Sequence, residues 1–239
     1  MQFLQNTEFS IVKSLYDDKI KYFPIITSVV ENIQQGFIIK KDETYLIVHK
    51  FGFAYLLGKN IDYINFLNQA IEKLNTFVPK LRLYDPMNRL NNIYYDDFQK
   101  STRVKYENLS NPTRKENNLF LVNEFNYDVC KSFDLGLDDR FWNSCHEFKN
   151  KSLAIVDKNI KGICYAAAIS NSYAEVDVFV KERYRRSGLA VELVNQFKIE
   201  CFNNKLVPLW DCYLNNIGSI KLAEKTKFQK LFEYSYYNI

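Results

Sequence analysis

The sequence predicts an α/β (α+β) protein in two parts. A C-terminal domain, 116–239, packs helices on a mixed central sheet, and a smaller N-terminal α+β domain fills 1–115. Three observations predict this. From Ser152 onward, apolar patterns run in the order strand, strand, strand, helix, strand, helix, strand, as in helices layered on a mixed sheet. The first half makes its own change of period, from helix to short strands and back to helix. Between the halves, "ENLSNPTRKENN" (Glu107–Asn118) is polar, holds Pro112 and has no periodicity, the marks of a linker. A length of 239 residues fits one large domain or two small ones. No fixed-period repeat is present. Because both halves carry strands followed by a long helix and a strand, a degenerate duplication is compatible with the pattern.

The elements follow in order. "NTEFSIVKSLYDDKIKYFPIITSVVENIQ" is helical up to Pro24 and again beyond it. Asn6 or Thr7 caps the first helix, and Ile11, Leu15 and Ile20 form its apolar side. Strands follow at Phe37–Ile39, Tyr45–Lys50 and Phe53–Leu57, with polar turns between them. Ile61, Ile64, Leu67, Ile71 and Leu74 then recur on one helical face. "KLRLYD" reads as a strand ending before Pro86, "LFLVNEF" as another, and "DDRFWNSCHEF" as a short helix carrying Phe141, Trp142 and Cys145. "SLAIVD", "GICYAAAIS" and "YAEVDVFV" are strands. The helix after Gly188 is the clearest in the chain. Leu189, Leu193, Phe197 and Cys201 recur every fourth residue and Val194 widens the face, with Glu192, Asn195 and Lys198 elsewhere. "LVPLWDCY" is a strand, "NNIGSIKLAEKT" a helix, and "KFQKLFEYSYYN" one or two last strands.

Composition sets bounds on function. Hydrophobic residues make up 47% and charged residues 25%, the proportions of a globular protein. A net charge of +4 is too small and too scattered to predict a nucleic-acid binder. The five cysteines are odd in number and form no CxxC, so a disulfide framework or zinc site is not expected. The N-terminus lacks the basic and apolar regions of a signal peptide, and no apolar run is long enough to span a bilayer. The expected location is the cytoplasm, with no metal, membrane or nucleic-acid partner. His49 and His146 have no triad or metal spacing and read as structural or surface residues. Trp142, Trp210, Cys212 and the N-terminal aromatics, Tyr94 and Tyr95 among them, read mainly as core, although some could line an acceptor pocket.

The stretch "ERYRRSGLAVELV" (Glu182–Val194) gathers Arg183, Arg185 and Arg186 just before a helix. A helix N-terminus leaves backbone N–H groups unpaired and carries the positive end of the macrodipole, which together attract anions, phosphate above all. Gly188 lets the backbone approach an anion without a Cβ, Ala190 keeps the next turn small, and the arginines match phosphate oxygens. A strand, a short basic loop and a helix in this order read as a pyrophosphate cradle. The plain alternative is a solvated basic loop. Neither a P-loop nor a dinucleotide fingerprint is present.

On these residues the chain resembles the GNAT acyl-CoA N-acyltransferases, whose signature is Gln/Arg-x-x-Gly-x-Gly/Ala. Here it stands as Arg185-Arg186-Ser187-Gly188-Leu189-Ala190, led in by "VFVKERYRRSGLA". Downstream, "NNIGSIKLAEKTKF" is similar to the family's closing element, with Asn216, Ser219 and Phe228 in its positions. "FWNSCHEF", "PLWDCYLNN" and "GSIKLAEK" look like the zwittermicin-A-resistance-type branch, which also carries an extra N-terminal region.

The resemblance implies a GNAT fold and acetyl-CoA as co-substrate. The fourth strand of that fold splays from the fifth, and pantetheine lies in the gap. By this likeness, backbone groups near Val178, Phe179 and Val180 pair with pantetheine. The amides of Arg186, Ser187, Gly188, Leu189 and Ala190, with the Arg185 side chain, hold the pyrophosphate. Asn216, with Ser219 in the same element, contacts pantetheine from the far side. A backbone N–H at about Val180 polarises the thioester carbonyl.

The chemistry needs a neutral amine and a proton donor for the thiolate. Strand alternation puts Glu175, Asp177 and Phe179 on one face, with Asp211 on the next strand. Glu175 and then Asp177 are the candidates to take the amine's proton, against the plain reading that they face solvent or pair with a lysine. The sequence departs from the family where many members place a tyrosine as acid, because Ala223 holds that position. Lys227 also precedes Phe228 where the family has glycine. Tyr213, Cys212, Ser219, Tyr234 or Tyr236 are the substitutes available. The implied activity is N-acetylation of a small-molecule amine, with homodimerisation left open. The rivals are acetylation of a peptide or protein amine, a non-catalytic acyl-CoA sensor, and nucleic-acid binding through the arginine loop.

Overall fold

The computed structural model describes residues 1–58, 62–78, 80–90, 98–113, 118–123, 127–135 and 153–239. The expected helix with Phe141, Trp142, Cys145 and His146 lies outside them, as do Ile61, Tyr94 and Tyr95. The chain divides into two compact units, Met1–Val104 with Phe232–Ile239, and Lys105–Leu231. Residues 114–117, around the sequence-predicted boundary, are outside the described residues. Each unit combines helices with a mixed sheet, the α+β class that the alternation of periods predicts.

In the first unit β1 (Gln2–Phe3), β2 (Gly36–Lys41), β3 (Thr44–His49), β4 (Phe53–Gly58), β5 (Arg82–Asp85) and the end of β12 (Gln229–Asn238) neighbour one another in that order. β4 and β5 are parallel, whereas β2–β3, β3–β4 and β12–β5 are antiparallel. α1 (Pro24–Val30) is buried at every residue and starts on a proline, whose fixed φ suits a first helical turn. α2 (Tyr63–Leu74) buries Phe66, Leu67, Ala70 and Leu74. The first expected helix is instead a 3-10 segment, Asn6–Leu15, with Gln5 at its N-cap. It buries Phe9 and Val12, three apart as three residues per turn demand, and leaves Ile11 and Leu15 outward.

The second unit holds the strand order β6-β11-β10-β9-β8-β7. Their ranges are β6 (Gln99–Glu107, in this unit from Lys105), β7 (Leu119–Leu121), β8 (Ala154–Asp157), β9 (Gly162–Ile169), β10 (Tyr173–Val180) and β11 (Val207–Tyr213). β7–β8, β8–β9 and β9–β10 are antiparallel; β10–β11 is parallel. β6 is the strand the sequence does not announce, since "STRVKYE" looks polar. α3 (Leu189–Asn203) lays Leu193, Val194, Phe197 and Cys201 on the sheet, and α4 (Ile217–Lys225) follows β11. Gly162 sets how closely α3 approaches β9. A Cβ there would stand 2.8 Å from Leu193 Cδ1 and 3.1 Å from the Phe179 carbonyl oxygen. Lys198 departs from its expected polar position, being 1% exposed.

Candidate active site

The site is built where β10 and β11 part. Their parallel pairing covers Tyr173–Glu175 against Val207–Leu209, while β10 continues to Val180 and β11 to Tyr213. Backbone groups alternate sides along a strand. The Ser172 carbonyl accepts from Val207 N on the β11 side, and Lys181 N donates to Lys161 on the β9 side. Val176, Val178 and Val180 therefore turn their backbone groups toward the parting, and Phe179 turns its own to β9, where its carbonyl lies against Gly162. Two of the three expected pantetheine partners thus share the open side, and Phe179 does not. Two open-side groups have partners already. Val178 N donates to Asp177 Oδ1 at 2.8 Å, and the Val180 carbonyl accepts from Arg185 Nε at 3.2 Å.

Beyond Val180 the chain makes a 3-10 turn, Glu182–Tyr184, and enters α3 through Gly188, whose φ of +91° is left-handed and favours glycine. A Cβ on Gly188 would meet nothing within 4 Å. Ser187 Oγ, one residue before the Gly188 N-cap, accepts from Leu189 N at 3.4 Å and donates to the Tyr184 carbonyl at 2.8 Å. Among the described residues, the N–H groups of Ser187, Gly188 and Ala190 meet no acceptor. Gly188 and Ala190 line a cavity of about 310 Å³ that Arg185, Arg186, Lys221 and Lys225 also line, with no acidic residue among the described residues of the lining. Unpaired N–H groups, a helix N-terminus and four cations make this a place for a polyanion.

Of the expected cofactor contacts, Val180, Arg185, Arg186, Gly188, Leu189 and Ala190 line the cavity. Val178, Phe179, Ser187, Asn216 and Ser219 do not. Asn216 caps α4, its Oδ1 accepting from Ser219 N at 3.1 Å. Ser219 Oγ accepts from Trp210 Nε1 at 3.0 Å, which satisfies the one polar atom of a buried indole. The sequence reading missed Lys221 and Lys225. Their four-residue spacing, one helical turn, was the available signal.

The carboxylates gather on the other face of β10. Pairing of Glu175 with Leu209 puts Glu175, Asp211 and Tyr213 on one face by alternation. Lys105 Nζ, whose side chain is 0% exposed, lies 3.1 Å from Glu175 Oε2 and 2.6 Å from Asp211 Oδ2. Glu175 is therefore an ion-pair partner of a buried lysine, the alternative to a free carboxylate. Asp177 Oδ2 accepts from the Tyr165 hydroxyl at 2.7 Å. Tyr213 is 36% exposed at the end of β11, and Cys212 and Ala223 are buried. Burial also pushes the Cys164 and Cys201 thiols well up, which suits inert core cysteines. Among the described residues no His, Cys, Asp and Glu cluster could hold a metal, and no helix is long and apolar enough to cross a membrane.

Comparison with known proteins identifies the family. Residues 13–237 match the GNAT acetyltransferase family. The chain is 26% identical to an uncharacterized N-acetyltransferase, YdfB, of Bacillus subtilis, over 99% of this chain and 98% of that protein. In fold it is similar to a GCN5-related N-acetyltransferase-like protein from Streptococcus suis, with a TM-score of 0.68, 21% identity and coverage of 97% and 98% of the two chains. A GCN5-related N-acetyltransferase from Sphaerobacter thermophilus is similar at a TM-score of 0.61, with 11% identity and coverage of 99% and 95%. The parted strands, the basic turn into α3 and the family match over nearly the whole chain lead to one conclusion: this protein belongs to the GNAT acetyltransferase family.

Proposed function

We propose that the protein transfers the acetyl group of acetyl-CoA to the amine of a small molecule. The observation that carries this reading is the parting of β10 from β11 directly before a cation-lined cavity on unpaired helix-terminal N–H groups. That order suits an extended thiol arm ending in a pyrophosphate. The arm lies along the open side of β10, beside Val176, Val178 and Val180. The pyrophosphate sits at Ser187, Gly188 and Ala190, with Arg185, Arg186, Lys221 and Lys225 supplying countercharge. The zwittermicin-A-resistance-type resemblance supports a small acceptor.

An amine reaches the site as its ammonium and must lose a proton to become a nucleophile. Glu175, at the fork, takes that proton, and Asp177 is the second carboxylate on the same face. The amine nitrogen then bonds to the acetyl carbon as the carbon–sulfur bond breaks. The departing sulfur takes a proton from Tyr213, which solvent reprotonates as the amine's second proton is lost. A second reading, an acyl-CoA sensor without turnover, is favoured by Ala223, fully buried where many family members carry the acid.

The test is a thermal melt with and without saturating acetyl-CoA, with free acetate as control. Ligand at about 100 times its Kd adds roughly 2.7 kcal/mol of stability. The expected result is a clear upward shift that Gly188→Glu abolishes and Gly188→Ala keeps. Both variants carry the strain of a left-handed φ, about 1–2 kcal/mol, but only glutamate brings charge against the phosphates. A folded wild-type sample with no shift would overturn the reading. Thiol release with small amines supports an enzyme, release only with peptide amines supports the protein-modifying alternative, and binding without release supports the sensor.

A further inference from the structure

The cavity beside α3 is lined from two parts of the chain, and only one of them carries the arginine signature. The stretch from Val180 to Val191 supplies Arg185, Arg186 and the helix entry, whereas α4 supplies Lys221, Leu222 and Lys225. Lys221 and Lys225 are exposed and stand one helical turn apart. Among the described residues neither side chain has an ion-pair or hydrogen-bond partner, and Glu224 on the same helix bridges to neither. Like charges at this spacing oppose their own helix. The Arg186 side chain is likewise unpaired, and its φ of +64° is left-handed, a conformation that favours glycine. Three cations thus line one cavity with no anion of the described chain to answer them.

Their charge exceeds what a diphosphate needs. Each phosphate inside a diphosphate link carries a single negative charge, and Arg185, Arg186 and the unpaired N–H groups at the start of α3 balance that pair. A terminal phosphate carries about −1.5 to −2 at pH 7, on three acceptor oxygens. Two ammonium groups one turn apart, on a separate helix, match such a group. Coenzyme A has one, the phosphate on its ribose, set apart from its diphosphate. We infer that Lys221 and Lys225 form a second anion subsite, which takes the ribose phosphate of the thioester donor while the entry to α3 takes the diphosphate. The inference rests on the acetyl-CoA reading and divides the countercharge of that reading between two helices. It makes α4 the element that tells coenzyme A from its dephosphorylated form.

The experiment is calorimetric titration of the intact chain with acetyl-CoA and with acetyl-dephospho-CoA, the same thioester without the ribose phosphate. The wild-type Kd is expected to be roughly 5- to 30-fold weaker for the dephospho form, the loss of two exposed charge-assisted contacts. In the double variant Lys221→Met, Lys225→Met, acetyl-CoA weakens to the level of the dephospho form, which itself changes little, so the preference vanishes. In Arg186→Met both ligands weaken together and the preference stays. All three side chains are exposed, so the variants are expected to fold, and their melts check this. Equal wild-type affinity for the two ligands overturns the inference and leaves the diphosphate cradle standing. A double variant that weakens both ligands alike also overturns it, because the lysines then serve the diphosphate. A preference lost in Arg186→Met but kept in the double variant moves the subsite to α3 and overturns it too. Binding of neither ligand to the folded wild type overturns the acetyl-CoA reading, and the inference falls with it.

Discussion

Two buried lysines in the second unit are handled in opposite ways. Lys105 lies between two carboxylates. Lys198 on α3 donates to the Thr226 carbonyl at 2.8 Å and sits over the Phe228 ring, with no carboxylate against it among the described residues. A carbonyl and a ring solvate an ammonium poorly, so burial, helped by Lys227, pulls Lys198 down to about 8 from its ordinary 10.5. The folded chain then holds this proton less tightly than the unfolded chain. Between about pH 8 and pH 10.5 the unfolded state binds more protons, so this residue makes stability rise with pH across that window. Below pH 8 its cost is fully present. Lys198→Met is expected to stabilise the protein at pH 7 by on the order of 1–3 kcal/mol. The gain shrinks toward pH 10.5, as paired urea titrations at several pH values would show. A gain independent of pH would refute this account. Neither lysine is legible in the sequence: in "STRVKYE" and "VNQFKIE" each looks like a solvated charge, and only a tertiary partner makes its burial tolerable.

At the level of elements, the sequence is clearest where apolar runs are bounded by polar or glycine turns, even in strands such as β3 and β8 that are buried on both faces. β2, β3, β4 and the segment from β8 to α4 lie where the periods place them. The reading fails where pattern and environment diverge. β6 buries Val104, Lys105 and Tyr106 in succession, which erases alternation, and its buried polar residue mimics a surface one. The segment Asn6–Leu15 has three-residue spacing, too close to 3.6 to be told from an α-helix over two turns. The cation cradle is legible because its residues are consecutive. The parting of β10 and β11 is legible only through family resemblance, since no local pattern encodes where two strands cease to pair. α4 offers a test of its own. Asn216 holds its first turn through Ser219 N, so Asn216→Ala should cost about 1 kcal/mol and Asn216→Asp, which still caps, much less. Equal losses in urea unfolding would mean that the cap contributes nothing. If the acetyl-CoA melting shift survives in Asn216→Ala, the residue serves the helix and not the ligand.

Over the whole molecule, the two compact units are not two successive stretches of chain. The first takes back Phe232–Ile239 from the C-terminus, and Ser235–Asn238 pair with Arg82–Asp85 there. The second begins at Lys105, ahead of the polar stretch Glu107–Asn118 that reads as a linker. A cut at 115/116 therefore takes different things from each side. Fragment 1–115 loses the strand that completes its sheet and exposes the pairing edge of β5. It also loses Tyr237, which packs with Leu83 and Leu90 in its core. Fragment 116–239 loses Lys105, which lies against both Asp211 and Glu175, and loses Asn108, which donates to the Thr226 and Lys227 carbonyls at the end of α4. Removing one partner of a buried ion pair costs about 3–5 kcal/mol, against a total stability of about 5–15 kcal/mol for a typical domain. Neither fragment should melt cooperatively on its own, and co-expression should recover the acetyl-CoA shift of the intact chain. Should 116–239 alone melt cooperatively with that shift, the ionic cluster would be dispensable for both folding and ligand binding, and β6 would be an accessory to the site.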